Sequence, residues 1–191
     1  LFMPIQQLPV LRPPKMKTVA VIYDLAFHEY GQQATFKDWL LLHSFTAQAA
    51  READHIIAVS QSTADDIARV YVRKENVSVV HHGVDSEYFR SLSSSEKGAS
   101  LEKLAAAFPN LRKPYVLFVG QIQPLKNIER LVEAFELLKK DTAHADLQLV
   151  IAGGHGWRQQ PILERVKNSP VESDILLTGR VDDALLPALY G

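Results

Sequence analysis

The sequence predicts an α/β fold of parallel sheets covered by helices, and three observations carry that prediction. Short runs rich in Val, Ile and Leu recur along the 191 residues, and near-continuous apolar runs of this length are what strands buried on both faces look like. Helical patterns fill most of the gaps between them, and strand–helix alternation builds parallel sheets with helices on both faces. The alternation breaks once, over residues 86–114, where the most Ser-rich stretch, "RSLSSSEKGAS", lies. A domain boundary is expected there, giving one domain over 1–90, a linker over 91–112 and a second domain over 113–191, with three strands on each side.

Taken in order, the expected strands are "TVAVIY" (18–23), "HIIAVS" (55–60), "VSVVHH" (77–82), "YVLFVG" (115–120), "LQLVIAG" (147–153) and "DILLTG" (174–179). Helices are expected over 36–53, 61–71, 127–140 and about 160–168, with a short helical patch at 101–107. Ser62 with Asp65 makes a capping-box pattern at the start of the second helix. Asn127 can cap "IERLVEAFELL", whose Ile128, Leu131, Val132, Phe135 and Leu138 follow the spacing of a buried face. Asp182 can cap "DALLPALY", with Asp183 in the first turn, where a carboxylate suits the helix dipole. The opening "LFMPIQQLPVLRPP" has several prolines and no initial Met, and it reads as a loop from inside a longer protein.

Composition narrows the function classes. Hydrophobic content is 47%, as in a globular core. Lys and Arg number 21 against 22 Asp and Glu, a net charge of −1, so no global field favours a nucleic-acid partner. With no cysteine, disulfides and thiolate metal sites are excluded, which suits a reducing cytoplasm. No apolar run approaches the roughly 20 residues of a membrane span, and no signal peptide is visible; the chain reads as soluble.

The stretch "GQIQPLKNIERLVEAF" (120–135) joins a strand to a helix through Lys126. Free N–H groups at a helix start and a neighbouring cation form an anion seat, suited to a diphosphate; a solvated loop lysine is the other reading. "IAGGHGW" (151–157) places glycines where backbone can approach a ligand, or makes a plain turn. It is not a dinucleotide fingerprint, because G-x-G-x-x-G is absent. Asp24 ends the first strand at the edge where parallel sheets hold ligands, or caps the next element. His81 and His82 are read as one packed or turn residue and one exposed residue, since the seven His show no metal-ligand order. Helix 36–53 shows Phe36, Trp39, Leu40, Leu41 and Phe45, expected to pack in the core; a membrane-surface role is the alternative, with Lys37 its only cation before Arg51.

Together and in order, "VIYDLAF", "AREADHIIAVSQSTADDI", "VSVVHHGVDSEYF", "YVLFVGQIQPLKNIERLVEAF", "LQLVIAGGHGW" and "ILLTGRVDDALLPALY" resemble the retaining glycosyltransferases of family 4, or group 1. The resemblance implies a GT-B fold of two Rossmann-like parallel-sheet halves, each incomplete in this chain. Residues 1–90 would be the C-terminal part of the acceptor-side domain, and 113–191 the N-terminal part of the nucleotide-sugar domain. It implies transfer of a hexose, with a lean to mannose, from a GDP- or UDP-sugar to a saccharide or lipid-linked acceptor. Retention, no cofactor and no metal are implied, as are a cytoplasmic location, peripheral membrane association at its inner face, and a role in polysaccharide or glycoconjugate synthesis.

Carried over by position, Lys126 matches the Lys that binds the donor diphosphate and stabilises the leaving group. Gly120, Gln121, Asn127, Gly153 and Gly154 fall on the donor side with it. Arg180 and Val181 fall where backbone meets the nucleotide base, Gly156 lies in the glycine loop, and Gly83 to Asp85 match a structural "GVD" turn. Tyr23 and Asp24 fall on the acceptor-side cleft. Two departures stand out: Gln121 replaces an Arg common in the family, and Tyr23 replaces a His. The fragment alone is expected to be inactive. Rival readings are a nucleotide-sugar epimerase or phosphorylase on the same fold, and a non-catalytic partner subunit in which Tyr23 and Gln121 mark lost catalysis.

Overall fold

The computed structural model describes residues 2–3, 8, 15–29, 36–91 and 93–191, which fall into two compact units, Leu1–Val84 and Asp85–Gly191.

The first unit is a parallel sheet of β1 (Phe2–Met3), β2 (Val19–Ile22), β3 (His55–Ala58) and β4 (Val77–Val79), side by side in that order. Its helices are α1 (Ala26–Glu29), α2 (Phe36–Glu52) and α3 (Gln61–Tyr71). Ala20, Ile22, Ile56 and Ala58 form the core with Ile67 of α3 and Ala49 and Ala50 of α2. The small alanines let α2 lie close to the strands. At the sheet's amino edge the Asp54 carboxylate accepts from Thr18 N at 2.8 Å and Lys17 Nζ at 2.7 Å, tying the start of β2 to the start of β3. These bonds hold its pKa down at about 2. Arg73 closes the C-terminus of α2, donating to the carbonyls of Ala50 at 3.1 Å and Ala53 at 2.8 Å, which are otherwise orphan acceptors.

The second unit is a parallel sheet of β5 (Tyr115–Val119), β6 (Gln148–Ala152) and β7 (Ile175–Gly179), with β6 in the centre and buried along its whole length. Leu149 and Ile151 pack with Val132 and Phe135 of α5 (Ile128–Leu138) and Ile162 and Val166 of α6 (Gln160–Lys167). Ala152 packs with Leu104 of α4 (Ser94–Ala107) and Leu189 of α7 (Leu186–Tyr190). The two faces of one apolar strand therefore need two helical layers, as the continuous apolar run predicted. Buried Gln148 is satisfied at both ends, accepting from Arg112 N at 2.8 Å and donating to Asn110 O at 3.0 Å. Glu136 of α5 accepts two bonds of 2.7 Å from Arg165 of α6 and one of 2.6 Å from Ser169.

Four expectations are corrected. The first sheet has a fourth strand, because Phe2–Met3, read as loop, pairs with Val19 and Ala20. The N-cap of α3 is Ser60, not Ser62: its hydroxyl accepts from Thr63 N at 3.1 Å. Asn127 makes no side-chain cap; it sits at φ 52°, ψ 37°, turning the chain from a 3-10 turn at Pro124–Lys126 into α5. Leu40 and Leu41 of α2 are exposed, as is Leu42, while Trp39 packs on the core. Three successive helical residues span about 200° of the helix circumference and cannot all face one core. The 91–112 stretch holds α4, opened by a reciprocal cap between Ser93 and Glu96 and anchored by fully buried Leu104. The Asp182 cap is present, accepting from Ala184 N at 2.9 Å. Among the described residues, no helix is long and apolar enough to cross a membrane.

Candidate active site

The carboxyl edge of β5–β7 gathers most of the donor-side residues named from sequence. Gly120 follows β5, Gly153 and Gly154 follow β6, and Arg180 follows β7. Adjacent parallel strands bring these loops side by side, and backbone bonds join them. Gly120 N donates to Ala152 O at 2.8 Å, Gly153 N to Gly179 O at 2.9 Å, Ile122 N to Gly154 O at 3.1 Å and Gly156 N to Ile122 O at 3.1 Å.

The glycines have separable reasons. A Cβ on Gly153 would stand 1.8 Å from the Gly120 carbonyl oxygen, and one on Gly156 2.5 Å from the Ile122 carbonyl oxygen. Both positions are glycine because another stretch of backbone occupies the space. A Cβ on Gly154 would meet only Arg180 Cβ, at an ordinary 3.8 Å, so this residue leaves room beside a cation. In "IAGGHGW", Gly153 and Gly156 join two loops and Gly154 is the open position.

Lys126 ends the 3-10 turn two residues before α5. Its backbone N–H is taken by Gln123 O at 3.0 Å, while its side chain is exposed and has no partner among the described residues. Arg180 and Gln121 are likewise exposed. Val181 is buried between α4 and α7, so only its backbone can meet a ligand. Because Asn127 does not cap α5 with its side chain, the first N–H groups of that helix keep their donor capacity for an outside acceptor. Glu129 lies in the same first turn and sets a negative charge near that end. The ionised groups with strong partners, Glu136, Asp174, Asp54 and Glu96, belong to framework ion pairs, and Arg165 and Ser169 hold Glu136 at about 2. The cations of the edge stand apart from these pairs.

The first unit has its own carboxyl edge. Asp24 Oδ1 accepts from Ala26 N at 3.0 Å, capping α1, the simpler of the two sequence readings. Tyr23 is bound through its carbonyl, which accepts from Thr63 Oγ1 at 3.0 Å. Its ring stacks on that of His82, centroids 5.5 Å apart and planes 20° from parallel. His81 and His82 are both exposed; β4 ends at Val79, so the sheet stops before either ring, and of the two it is His82 that packs, on Tyr23. Among the described residues, no group of three or more His, Asp or Glu is placed to hold a metal.

Sequence reasoning did not find the His82–Tyr23 pairing, since 59 positions separate the rings in a chain of 191 residues. It also missed a cluster between α1, α2 and α3. There His28 Nε2 lies 3.0 Å from Tyr71 Oη, and its ring is 4.8 Å from that of His43. Burial first, then the neighbouring imidazole of His43, pull the His28 pKa down, and burial pushes Tyr71 up to about 12. Aromatic spacing on three separate helices carries no local sign of convergence.

Two family descriptions match the chain in succession: Glycosyltransferase Family 4 over residues 7–88 and Glycosyl transferases group 1 over residues 101–191. O-antigen chain mannosyltransferase B of Escherichia coli is 28% identical over 135 residues, which are 71% of this chain and 34% of that protein. A D-inositol 3-phosphate glycosyltransferase of Nocardia farcinica is 35% identical over 109 residues, 56% of this chain and 23% of that protein. Among solved structures, Anabaena Alr3699/HepE in complex with UDP-glucose superposes with a TM-score of 0.66 at 19% identity, over 91% of this chain and 44% of that one. WaaG, a glycosyltransferase involved in lipopolysaccharide biosynthesis, does so with 0.63 at 12% identity, over 92% and 51%. The chain thus spans between about a fifth and a third of the curated relatives it matches and about half of these two structures.

Proposed function

From the premise that this chain belongs to the group 1 and family 4 glycosyltransferases and has their GT-B fold, we propose that the whole protein transfers a hexose from a nucleotide-diphosphate sugar to an acceptor hydroxyl with retention. Lys126 neutralises the departing diphosphate. The observation that carries this reading is the exposed Lys126 ammonium, free of ion pairs among the described residues, beside the uncapped start of α5. A cation already committed to a framework carboxylate could not serve a ligand.

In the proposed step the bond between the anomeric carbon and the diphosphate oxygen breaks, and its electron pair leaves with the diphosphate. The acceptor oxygen bonds to the same carbon on the same face, and its proton passes to the leaving diphosphate. Charge develops on the diphosphate as the bond breaks, so a cation fixed there acts most strongly in the transition state. At 4 Å and an effective dielectric near 20, one such charge pair is worth roughly 4 kcal/mol, about a thousandfold in rate. Arg180, beside Gly154, supplies a second cation on the same edge, and Gln121 contributes neutral hydrogen bonds where an Arg would add charge. The mannosyltransferase relatives support mannose as the hexose and polysaccharide synthesis as the setting; a GDP- or UDP-sugar is the donor. We place the enzyme in the cytoplasm, with a saccharide or lipid-linked acceptor met at the inner face of the membrane.

The test is Lys126→Ala in the full-length protein. Transfer from the nucleotide sugar falls by about a thousandfold, Lys126→Arg restores part of it, and the melting temperature holds, because the side chain is exposed. Unchanged turnover in Lys126→Ala would remove the assigned role.

A further inference from the structure

The proposed transfer step makes no use of His155, the residue between Gly154 and Gly156. The loop after β6 pairs in parallel with the loop after β5, and His155 stands opposite Ile122 in that pairing. The bonds on either side of it, Ile122 N to Gly154 O and Gly156 N to Ile122 O, both 3.1 Å, fix the register. Residues directly paired across strands project to the same face of a sheet. Ile122 packs beneath α5 and α6 with Ile128 and Ile162, so His155 projects on the side where those two helices start and where Lys126 precedes α5. Ile122 is buried there, whereas His155 is exposed.

The ring is held in one tautomer. His155 Nδ1 lies 2.6 Å from Gln159 Oε1, and an amide oxygen only accepts, so Nδ1 carries the hydrogen. Nε2 has no partner among the described residues. In the neutral ring that nitrogen presents a lone pair, which a phosphate oxygen cannot use. In the protonated ring it presents an N–H carrying positive charge, which a phosphate oxygen binds strongly. Histidine is the side chain that passes between these two forms around neutral pH. The charged groups on the elements around it are Lys126 and Glu129 on the β5–α5 side, Arg180, Asp182 and Asp183 after β7, and Arg158 and Glu164 on its own loop and helix. None of them pairs with His155 among the described residues.

We propose that His155, oriented by Gln159, binds the donor diphosphate through Nε2 in its protonated form, so that the nucleotide sugar is taken up together with a proton. This inference rests on the glycosyl-transfer reading and deepens it by naming a third positive group at the donor edge, one whose charge depends on pH. It adds charge beside Gln121, which is neutral where an Arg is common in the family. A bound donor sets negative charge opposite Nε2, and the ring gains a proton from solvent. The complex then holds more protons than the free protein, and by linkage donor affinity falls as pH rises.

The experiment is calorimetric titration of the full-length protein with UDP-glucose and GDP-mannose, donors whose phosphates are both esterified and keep a constant charge over the range used. At least one of them binds about tenfold more tightly at about pH 5 than at about pH 8, the order expected for one charge-assisted hydrogen bond. Buffers of different ionisation heat register the accompanying uptake of up to one proton. His155→Gln removes the pH dependence and holds affinity at its alkaline level, whereas His155→Arg holds it near the acid level throughout. Gln159→Ala keeps the pH dependence but loses part of the gain at acid pH. A pH dependence that survives His155→Gln puts the proton elsewhere and overturns the proposal. Affinity that is flat across pH yet collapses in Lys126→Ala also overturns it and leaves the transfer reading standing. If neither donor binds at any pH, the transfer reading falls and takes this inference with it. His155 is exposed, so its variants are expected to fold, and the opposite pH responses of the Gln and Arg variants are not what a structural role would give.

Discussion

At the carboxyl edge of β5–β7 the side chains on offer are cations, Lys126 and Arg180, raised on loops that glycines join together. At the same edge of β2–β4 they are rings and a carboxylate, Tyr23, His82 and Asp24, set by side-chain bonds to the start of the following helices. Both sheets are parallel and both edges follow apolar strands, so the architecture decides where a ligand sits and the residues after each strand decide its chemistry. One edge offers positive charge and the other aromatic rings beside a carboxylate. The two also differ in what fixes them: backbone contact in the second unit, hydrogen-bonded side chains in the first.

Breaking the backbone contact should have the largest effect. Gly153→Ala puts a methyl 1.8 Å from a carbonyl oxygen; the loops must separate, at a cost of about 3 kcal/mol. Urea unfolding of the second unit measures the loss, and protection of β6 amides from hydrogen exchange should fall while that of β3 amides holds. Equal losses in both sheets would contradict the separation drawn here.

The next effect distinguishes the units by acid. Glu136, held at about 2 by Arg165 and Ser169 against an ordinary 4.5, binds its proton less readily folded than unfolded. Its contribution is therefore complete above about pH 4.5 and lost as pH falls toward 2. Glu136→Gln should destabilise the second unit by about 1–2 kcal/mol at neutral pH. Near pH 2 the variant and the parent should converge, as read by chemical unfolding across pH.

In the first unit His28 responds earlier. Its folded pKa lies below the ordinary 6.5, so the stability it contributes is complete above that pH and falls as the imidazole protonates below it. The groups around it are His43 of α2 and Tyr71, Arg69 and Asp66 of α3. Exchange of the His28 amide, bonded to Leu25 O at 2.9 Å, should speed up as pH drops below 6.5, relative to intrinsic rates, and His28→Gln should flatten the response. The smallest effect is expected at Gly154→Ala, whose methyl meets an ordinary contact; stability should change by less than about 0.5 kcal/mol.

Strands were legible because each carries a near-continuous apolar run, and each of β2–β7 lies inside the stretch read for it, although only β6 is buried along its whole length. The bounds of α3, Gln61–Tyr71, coincide with the amphipathic pattern. What was not legible depends on partners distant in sequence. A strand as short as Phe2–Met3 exists only because β2 accepts it. Helix geometry keeps Leu40, Leu41 and Leu42 from all facing one core, and which residues of α2 are covered depends on what packs against it, which apolar counting ignores. At the edge of the second sheet, Lys126 could be placed from the strand–cation–helix order alone. The left-handed Asn127 could not, because Asn suits both a cap and that conformation. The stacking of His82 on Tyr23 depends on strand order and was invisible for that reason.

The contact between Gly153 and the Gly120 carbonyl also bears on how such an edge can be redesigned. Since the 120–123 and 153–156 stretches share their hydrogen bonds and leave no room for a side chain between them, neither is an independent module. Anyone wishing to remodel this edge would have to transplant both segments as a single cassette. A library that randomises one while keeping the other would consist mostly of misfits.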